Sequence, residues 1–279
     1  MNTIVDKRAL GQGIVELLVD APRIATKARP GQFVVVRLHE RGERIPLTLA
    51  DWDPTRGTIT LVVQMVGKST RELGERFDVG DVIRDVVGPL GSPSEIHRYG
   101  TVVCVGGGVG IAPIYPIARA LHEERNEVIG IVGARTNGLL FWLDRMGGVC
   151  HELHVATDDG SQGVKGVVTI PLREVLSGRK VAHVWAIGPA IMMKFCTKTC
   201  QEFAVPITVS LNSIMVDGTG MCGGCRVEVS GKARFACVDG PEFPGDLVNW
   251  DLLLDRLGTF RDEERCALER YLSAEAGTR

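Results

Sequence analysis

The three cysteines Cys222, Cys225 and Cys237 restrict most strongly what this chain can fold into. They stand close together in a stretch that also has glycine at positions 218, 220, 223 and 224. Thiolates are soft anionic ligands that suit iron or zinc, and glycines let the backbone wrap closely and donate N–H groups to sulfur. The chain has eight cysteines, but the other five are scattered, and free cysteine is a common core residue. The cluster of three therefore predicts a metal site.

The spacing favours a [2Fe–2S] cluster over zinc. A zinc site usually offers four Cys or His ligands, commonly as two short pairs, whereas this stretch has one pair, one single cysteine and no histidine. The plant-type [2Fe–2S] spacing is Cys-x4-Cys-x2-Cys…Cys, and the same x4 counted back from Cys222 reaches Asp217. The alternative for Asp217 is a turn residue before Gly218, a common role of Asp-Gly. We predict four cluster ligands: Asp217, Cys222, Cys225 and Cys237.

Residues 1–96 are predicted to form a small antiparallel β-barrel. Short apolar runs alternate with turn pairs such as Pro30-Gly31 and Asp53-Pro54, a rhythm typical of such barrels. One helix is expected over 69–76, capped by Ser69 or Thr70.

The start of that helix is a candidate anion site. Lys68 stands there beside free backbone N–H groups, between Gly67 and the pair Ser69-Thr70. A capped helix after a turn explains the same residues equally well.

Residues 97–206 are predicted to form an α/β domain. Continuous apolar strands alternate with helices, which indicates a parallel sheet covered on both faces. The glycine loop after the first strand lies where such sheets bind nucleotides, and it supplies the candidates Gly107, Gly108, Val109 and Gly110. Ile111 occupies the third glycine position of G-x-G-x-x-G, so a tight strand-to-helix turn is the alternative.

Three further loops end strands on the same expected edge of this sheet. They supply the candidates Ala134, Arg135, Asp158, Asp159, Gly188 and Pro189. Loops at one edge of a parallel sheet make a ligand-binding crevice. Arg135 could meet a phosphate there, or it could be a solvated loop residue.

The remaining chain divides into a cluster-binding segment, 207–248, and a charged helical tail, 249–279. The net charge of −2 gives no sign of a nucleic-acid partner. No apolar run approaches the ~18–20 residues of a membrane span, and the N-terminus lacks the pattern of a secretory signal. We therefore expect a cytoplasmic protein with no membrane partner.

The motifs GGGVGIAP, TDDGS and IGPAIMM occur in an order that resembles the ferredoxin–NADP reductase superfamily. DGTGMCGGC and FACVDGPEF resemble its iron–sulfur branch, which contains the electron-transfer subunit of dihydroorotate dehydrogenase B. Most similar are the small (alpha) subunits of NADH-dependent reduced ferredoxin:NADP+ oxidoreductases. In the dihydroorotate dehydrogenase subunit the position of Asp217 is cysteine, so this aspartate favours the ferredoxin:NADP+ group.

The resemblance implies that the barrel binds FAD and that the α/β domain binds NAD(H). The implied FAD contacts are Pro46, Leu47, Thr48, Val62, Val63, Gln64, Ser69 and Thr70. Two departures matter. The superfamily arginine that precedes the Pro-x-Thr element is replaced by Ile45, with Arg44 one position earlier, and the Cys-Gly near the nicotinamide is replaced by Ile187-Gly188.

The resemblance further implies an oxidoreductase subunit. Because the cofactors carry the chemistry, we expect no catalytic acid or base. Electrons would pass between NAD(H), FAD and the [2Fe–2S] cluster to a larger subunit with its own FAD and [4Fe–4S] clusters. Ferredoxin and NADP(H) would react through that partner, in an electron-bifurcating heterodimer. NAD(H) is expected on this chain, although Arg135 and Thr136 could hold the 2′-phosphate of NADP.

Two alternatives stay open at the level of sequence. One is an electron-transfer subunit of the dihydroorotate dehydrogenase B type or of another NADH-linked oxidoreductase. The other is a redox sensor or binding module that holds the cofactors without turnover. The charged tail could dock on the partner subunit, or it could pack as a helix on its own domain.

Overall fold

The structure, a computed structural model, describes residues 2–276. Six strands in the order β1-β2-β5-β4-β3-β6 form an antiparallel sheet. Residues before β6 return to β1, where Thr3 bridges to Val82 and the N–H of Ile4 donates to the carbonyl of Asp81 at 2.9 Å. The predicted antiparallel barrel is thereby confirmed. Its strands are β1 Ile4–Gly11, β2 Ile14–Asp20, β3 Phe33–Arg37, β4 Arg44–Asp53, β5 Thr58–Gln64 and β6 Asp85–Leu90.

Two helices belong to the barrel, α1 Pro22–Ala25 and α2 Lys68–Arg76. The helix predicted over 69–76 is confirmed, but the expected cap is wrong. Gly67 is the N-cap, and the Thr70 hydroxyl accepts the N–H of Gly67 at 3.0 Å. Thr70 therefore lies inside the first turn, and its side chain bonds back to the N-cap residue as in a capping box. The Ser69 hydroxyl donates to Glu43.

The second sheet has the order β10-β9-β8-β7-β11-β12-β15 and is parallel except for β15. This confirms the predicted parallel α/β domain. Its strands are β7 Thr101–Gly107, β8 Glu127–Ala134, β9 Glu152–Thr157, β10 Val164–Lys165, β11 His183–Ile187, β12 Ile207–Ser210 and β15 Glu242–Pro244. Its helices are α3 Ile111–Glu123, α4 Leu143–Val149, α5 Thr169–Gly178 and α6 Ala190–Glu202.

The segment that carries Cys222, Cys225 and Cys237 connects two strands of this sheet. Strands β12 and β15 pair with each other, and the chain between them carries the cysteines and a hairpin of β13 Arg226–Val229 and β14 Lys232–Phe235. The sheet therefore continues past residue 206, where the sequence placed the domain boundary. The sequence does not show this continuation, because β12 and β15 are too short to display a recognisable strand pattern.

The C-terminal tail packs on its own chain. It forms α7 Trp250–Leu257 and α8 Arg261–Ala276, and the last residues of the predicted tail, 277–279, lie outside the described part. On α8, the Tyr271 hydroxyl lies 3.3 Å from Glu75 of α2, and the Arg76 guanidinium stands 4.8 Å from the centre of the Tyr271 ring. Across residues 2–276, no helix combines the length and the apolar character needed to cross a membrane.

Candidate functional site

A cleft of about 1070 Å³ opens between the barrel and the α/β sheet. The barrel side is lined by Pro46, Leu47 and Thr48 of β4 and by Val62 and Gln64 of β5. Side chains alternate along a strand, so Val63 points the other way, into the barrel core, where it is fully buried. Five of the six candidates on these two strands therefore line the cleft.

The glycine loop forms the opposite wall. Gly107, Gly108, Val109 and Gly110 all line the cleft, and a single 3-10 turn over Gly108–Gly110 leads directly into α3. Gly108 has a φ of 56°, a value that favours glycine. A Cβ on Gly110 would lie 2.2 Å from the carbonyl oxygen of Ile187. The loop therefore needs glycine at 110 for its close approach to β11.

The parallel register brings the later loops to the same edge. Ala134, Arg135, Asp158, Gly188 and Pro189 line the cleft as expected. Asp159 follows directly, but its exposed carboxylate accepts the N–H and the hydroxyl of Ser161 at 3.0 and 2.6 Å. These bonds lower the pKa of Asp159, and they give its side chain a turn-forming role outside the cleft lining.

The candidates for the anion site also differ in whether they line the cleft. Thr70 lines the cleft, whereas Gly67, Lys68 and Ser69 stand beside it at the N-terminus of α2. Backbone N–H groups at a helix N-terminus favour a negatively charged ligand. This end of the cleft could therefore hold the diphosphate of a dinucleotide.

A third wall was missed by the sequence analysis. The last residue of β12 and the residues after it line the cleft and lead directly into the cysteine loop, namely Ser210, Leu211, Asn212, Ser213 and Met215. The Ser213 hydroxyl is buried and has no hydrogen-bond partner within residues 2–276. A buried polar atom without a partner is costly, so a bound cofactor that bonds to it fits this wall. The sequence signal for this wall is the polar pair Asn212-Ser213, which follows a strand at the ligand-binding edge of the sheet.

The four predicted cluster ligands lie in two pairs. The sulfurs of Cys225 and Cys237 are 3.2 Å apart and buried. Asp217 accepts the backbone N–H of Cys222 at 3.0 Å through Oδ2. Within residues 2–276, no three Cys, His, Asp or Glu side chains gather as a single metal ion requires. A binuclear cluster instead takes two ligands at each iron, and two pairs fit that requirement.

The loop backbone is arranged for sulfur. Gly218, Gly220 and Gly223 all have positive φ values, which lets the chain turn tightly between the predicted ligands. The N–H of Gly224 lies 3.4 Å from Cys222 Sγ, and the N–H of Cys237 lies 3.4 Å from Cys225 Sγ. Such N–H groups stabilise the negative charge of cluster sulfurs.

The predicted ligands Cys237 and Asp217 differ in how readily they ionise. Burial, followed by the contact with Cys225, raises the pKa of the Cys237 thiol to about 12. Cluster binding must therefore release a proton from Cys237 at neutral pH. The backbone N–H of Thr219, 2.8 Å from Oδ1, is the main cause that lowers the pKa of Asp217. Asp217 is thus ready to act as an anion, although the same bonds also satisfy a turn role.

Comparisons with known proteins agree with this arrangement. Residues 212–249 match the family described as the iron-sulfur cluster binding domain of dihydroorotate dehydrogenase B. The chain is 54% identical over 272 residues to a dihydroorotate dehydrogenase B (NAD(+)) electron transfer subunit homolog of Thermotoga maritima, covering 98% of this chain and 96% of that protein. It is 35% identical over 240 residues to the dihydroorotate dehydrogenase B electron transfer subunit of Desulforamulus reducens, covering 83% and 91%.

Solved structures of related proteins also resemble this chain. A chain of the NADH-dependent reduced ferredoxin-NADP oxidoreductase, solved in a study of flavin-based electron bifurcation, matches with a TM-score of 0.93 at 54% identity over 98% of both chains. Phthalate dioxygenase reductase matches with a TM-score of 0.61 at 17% identity over 81% of this chain and 85% of that one, which shows the shared fold. The chain therefore belongs to the family of dihydroorotate dehydrogenase B electron transfer subunits and their homologues.

Proposed function

We propose that this chain is the electron-transferring small subunit of an NADH-dependent ferredoxin:NADP+ oxidoreductase. It would pass electrons between NAD(H) and a partner subunit by means of bound FAD and a [2Fe–2S] cluster. The observation that carries the proposal is a single cleft bounded by the barrel strands, the glycine loop and the segment that leads into the cysteine loop. Similarity to the ferredoxin-NADP oxidoreductase chain over 98% of both lengths supports it.

Each wall of the cleft has its own task in this proposal. The strand residues Pro46 to Thr48 and the β5 residue Gln64 hold the flavin, and the N-terminus of α2 faces its diphosphate. Gly107 to Gly110 and the loops at Arg135, Asp158 and Gly188 position the nicotinamide nucleotide. When bound, FAD accepts a hydride from the nicotinamide, and the cluster carries single electrons. The chain itself orients these groups and limits the access of water, and no side chain is assigned as a catalytic acid or base.

The proposed partner is a larger subunit with its own FAD and [4Fe–4S] clusters, which would react with ferredoxin and NADP(H) in the cytoplasm. Anaerobic purification of the complex, followed by flavin, iron and sulfide analysis of each subunit, tests this. We expect one FAD and one [2Fe–2S] cluster on this chain and the [4Fe–4S] clusters on the partner. A chain that holds neither FAD nor iron when purified anaerobically contradicts the proposal.

A second candidate function is electron transfer to a dihydroorotate-oxidising subunit. It is favoured by the match of residues 212–249 and by the names of several relatives. The partner distinguishes the two functions, because a co-purifying subunit that contains FMN and lacks [4Fe–4S] clusters would support the second.

Asp158 is expected to set the preference for NAD(H). It lines the cleft after β9, where a carboxylate can accept a ribose hydroxyl and repel a 2′-phosphate. We expect Asp158→Ser to lower kcat/KM for NADH about tenfold, a loss of roughly 1.4 kcal/mol in transition-state binding, and to raise it for NADPH. Flavin reduction by both nucleotides measures the change.

Asp159→Ser is the matched comparison for this prediction. The Asp159 carboxylate accepts a hydrogen bond from the Ser161 hydroxyl outside the cleft lining. Removing this carboxylate should therefore change the ratio of NADH to NADPH activity much less. Equal shifts in the two variants would remove Asp158 from nucleotide selection.

Asp217 is expected to be the fourth cluster ligand. Asp217→Asn keeps a side-chain acceptor for the turn but loses the anion, and Asp217→Ala loses both. We expect both variants to alter the EPR g-values or to lose iron. Asp239→Ala serves as control, because its carboxylate accepts a backbone N–H, from Phe235 at 2.7 Å, in the same segment without being a predicted ligand. Unchanged iron content and g-values in Asp217→Asn would leave Asp217 with the turn role alone.

A further inference from the structure

Helix α7 presents a positive charge to the cysteine loop. The Arg256 guanidinium donates from Nη2 to the carbonyl oxygen of Gly224 at 3.1 Å. Gly224 lies between the ligand candidates Cys222 and Cys225, and its own N–H lies 3.4 Å from Cys222 Sγ. Arg256 therefore joins the C-terminal tail to the loop at the residue between the two predicted ligands Cys222 and Cys225.

The helix that carries Arg256 is held rigidly at its start. Asn249 caps it by accepting the N–H of Leu252 at 3.1 Å, and the Asn249 side chain donates to Glu228 of β13 at 2.8 Å. Its backbone N–H also donates to the carbonyl of Glu228, at 2.9 Å. The first turn of α7 is thus tied to the hairpin that follows Cys225.

The buried face of α7 lies in the same hydrophobic core as two of the predicted ligands. Trp250 and Leu253 belong to the same buried cluster as Cys225 and Cys237, and the Trp250 indole donates to the carbonyl of Gly245 at 3.0 Å. With its start bonded to β13 and this face in the core, the helix has little freedom to move Arg256. The guanidinium therefore reaches Gly224 from a helix that is anchored at its start and along its buried face.

We propose that Arg256 is a positioning residue that holds the Gly224 peptide and raises the reduction potential of the iron–sulfur cluster. Reduction adds one negative charge to the loop, which already contains the Asp217 carboxylate. A nearby fixed positive charge stabilises the reduced state more than the oxidised state. Net charge and hydrogen bonding around the sulfurs are the main determinants of cluster potential. The proposal rests on the cluster of the proposed function, which it extends to the C-terminal tail.

The test is a redox titration of the intact chain, followed by the EPR signal of the reduced cluster. We expect Arg256→Gln to shift the midpoint to a lower potential and Arg256→Lys, which keeps the charge, to restore most of the difference. Arg265→Gln is the matched control, because it removes the same charge from the next helix, where Arg265 pairs with Asp262 at 3.1 Å. We expect its midpoint to equal that of the wild type.

Iron and acid-labile sulfide are measured first in every variant. A wild-type chain without a cluster would overturn the proposed function and this proposal with it. A wild-type cluster whose midpoint is unchanged in Arg256→Gln, or shifted equally in Arg265→Gln, would overturn this proposal alone. If Arg256→Gln does not retain its cluster, Arg256→Lys decides: a midpoint close to that of the wild type supports the role of the charge, and a clear drop contradicts it.

Discussion

Replacing Cys225 with Ala is expected to abolish binding of the iron–sulfur cluster while FAD binding persists. Cys225 is 1% exposed, and its sulfur lies 3.2 Å from that of Cys237. The variant therefore removes one member of the close thiol pair, and an iron atom would keep a single protein ligand there. The cleft residues that hold the flavin lie on other elements, so NADH should still bleach the flavin. Iron analysis, flavin absorbance and EPR of the same sample measure the three outcomes.

Cys266→Ala is the control for this experiment. Cys266 is an exposed cysteine on α8, outside the predicted ligand set, and its loss should leave iron content and EPR signal as in the wild type. A Cys225→Ala protein that retains full iron and an unchanged EPR spectrum would show that the cluster is not bound by the close thiol pair.

Replacing Gly110 with Ala is expected to disrupt the nucleotide side of the cleft. The new Cβ would lie 2.2 Å from the carbonyl oxygen of Ile187 and 2.9 Å from the Cα of Gly188. Both neighbours are backbone atoms that cannot rotate away, so the loop and the end of β11 must separate. Overpacking of this kind costs about 1–3 kcal/mol of unfolding free energy, and we expect flavin reduction by NADH to slow by at least about tenfold, because misplaced reacting groups cost that much or more.

Gly147→Ala is the matched control, because a Cβ at that position in α4 meets no atom within 4 Å. Alanine is favoured over glycine inside a helix by about 1 kcal/mol, so this variant should be as stable as the wild type or more stable. Thermal unfolding and stopped-flow flavin reduction compare the two variants. If Gly110→Ala reacts with NADH as fast as the wild type, the glycine loop is not where the nucleotide binds.

The main elements were predictable because their patterns are local. The apolar runs of the barrel and the continuous strands around the glycine loop each carry the period of their structure within a few residues. The cysteine spacing is likewise a local pattern, and the structure places Cys225 and Cys237 side by side. Parallel strands end at one edge, which is why Arg135, Asp158 and Gly188 could be expected to line one cleft.

What could not be predicted depends on contacts between distant segments. The pairing of β12 with β15 joins residues on either side of the cysteine loop, and neither strand is long enough to show a period of its own. The polar pair Asn212-Ser213 follows a strand, but its position in the cleft depends on the path of the chain from β12 into the cysteine loop. Alternation along β5 predicts that Val63 points away from its neighbours Val62 and Gln64. The sequence alone does not show which of the two directions faces the cleft. The contact between Arg256 and Gly224 arises from the packing of α7, which the charged composition of the tail does not reveal.

The most direct measurement is anaerobic mixing of the isolated chain with NADH, with flavin absorbance and rapidly frozen EPR samples recorded on the same time axis. We predict that the flavin bleaches first and that the signal of a reduced [2Fe–2S] cluster then rises, with Cys225→Ala showing the first event without the second. A flavin that stays oxidised in excess NADH, or a cluster signal that rises in a protein lacking flavin, would contradict the proposed route from nucleotide through flavin to cluster.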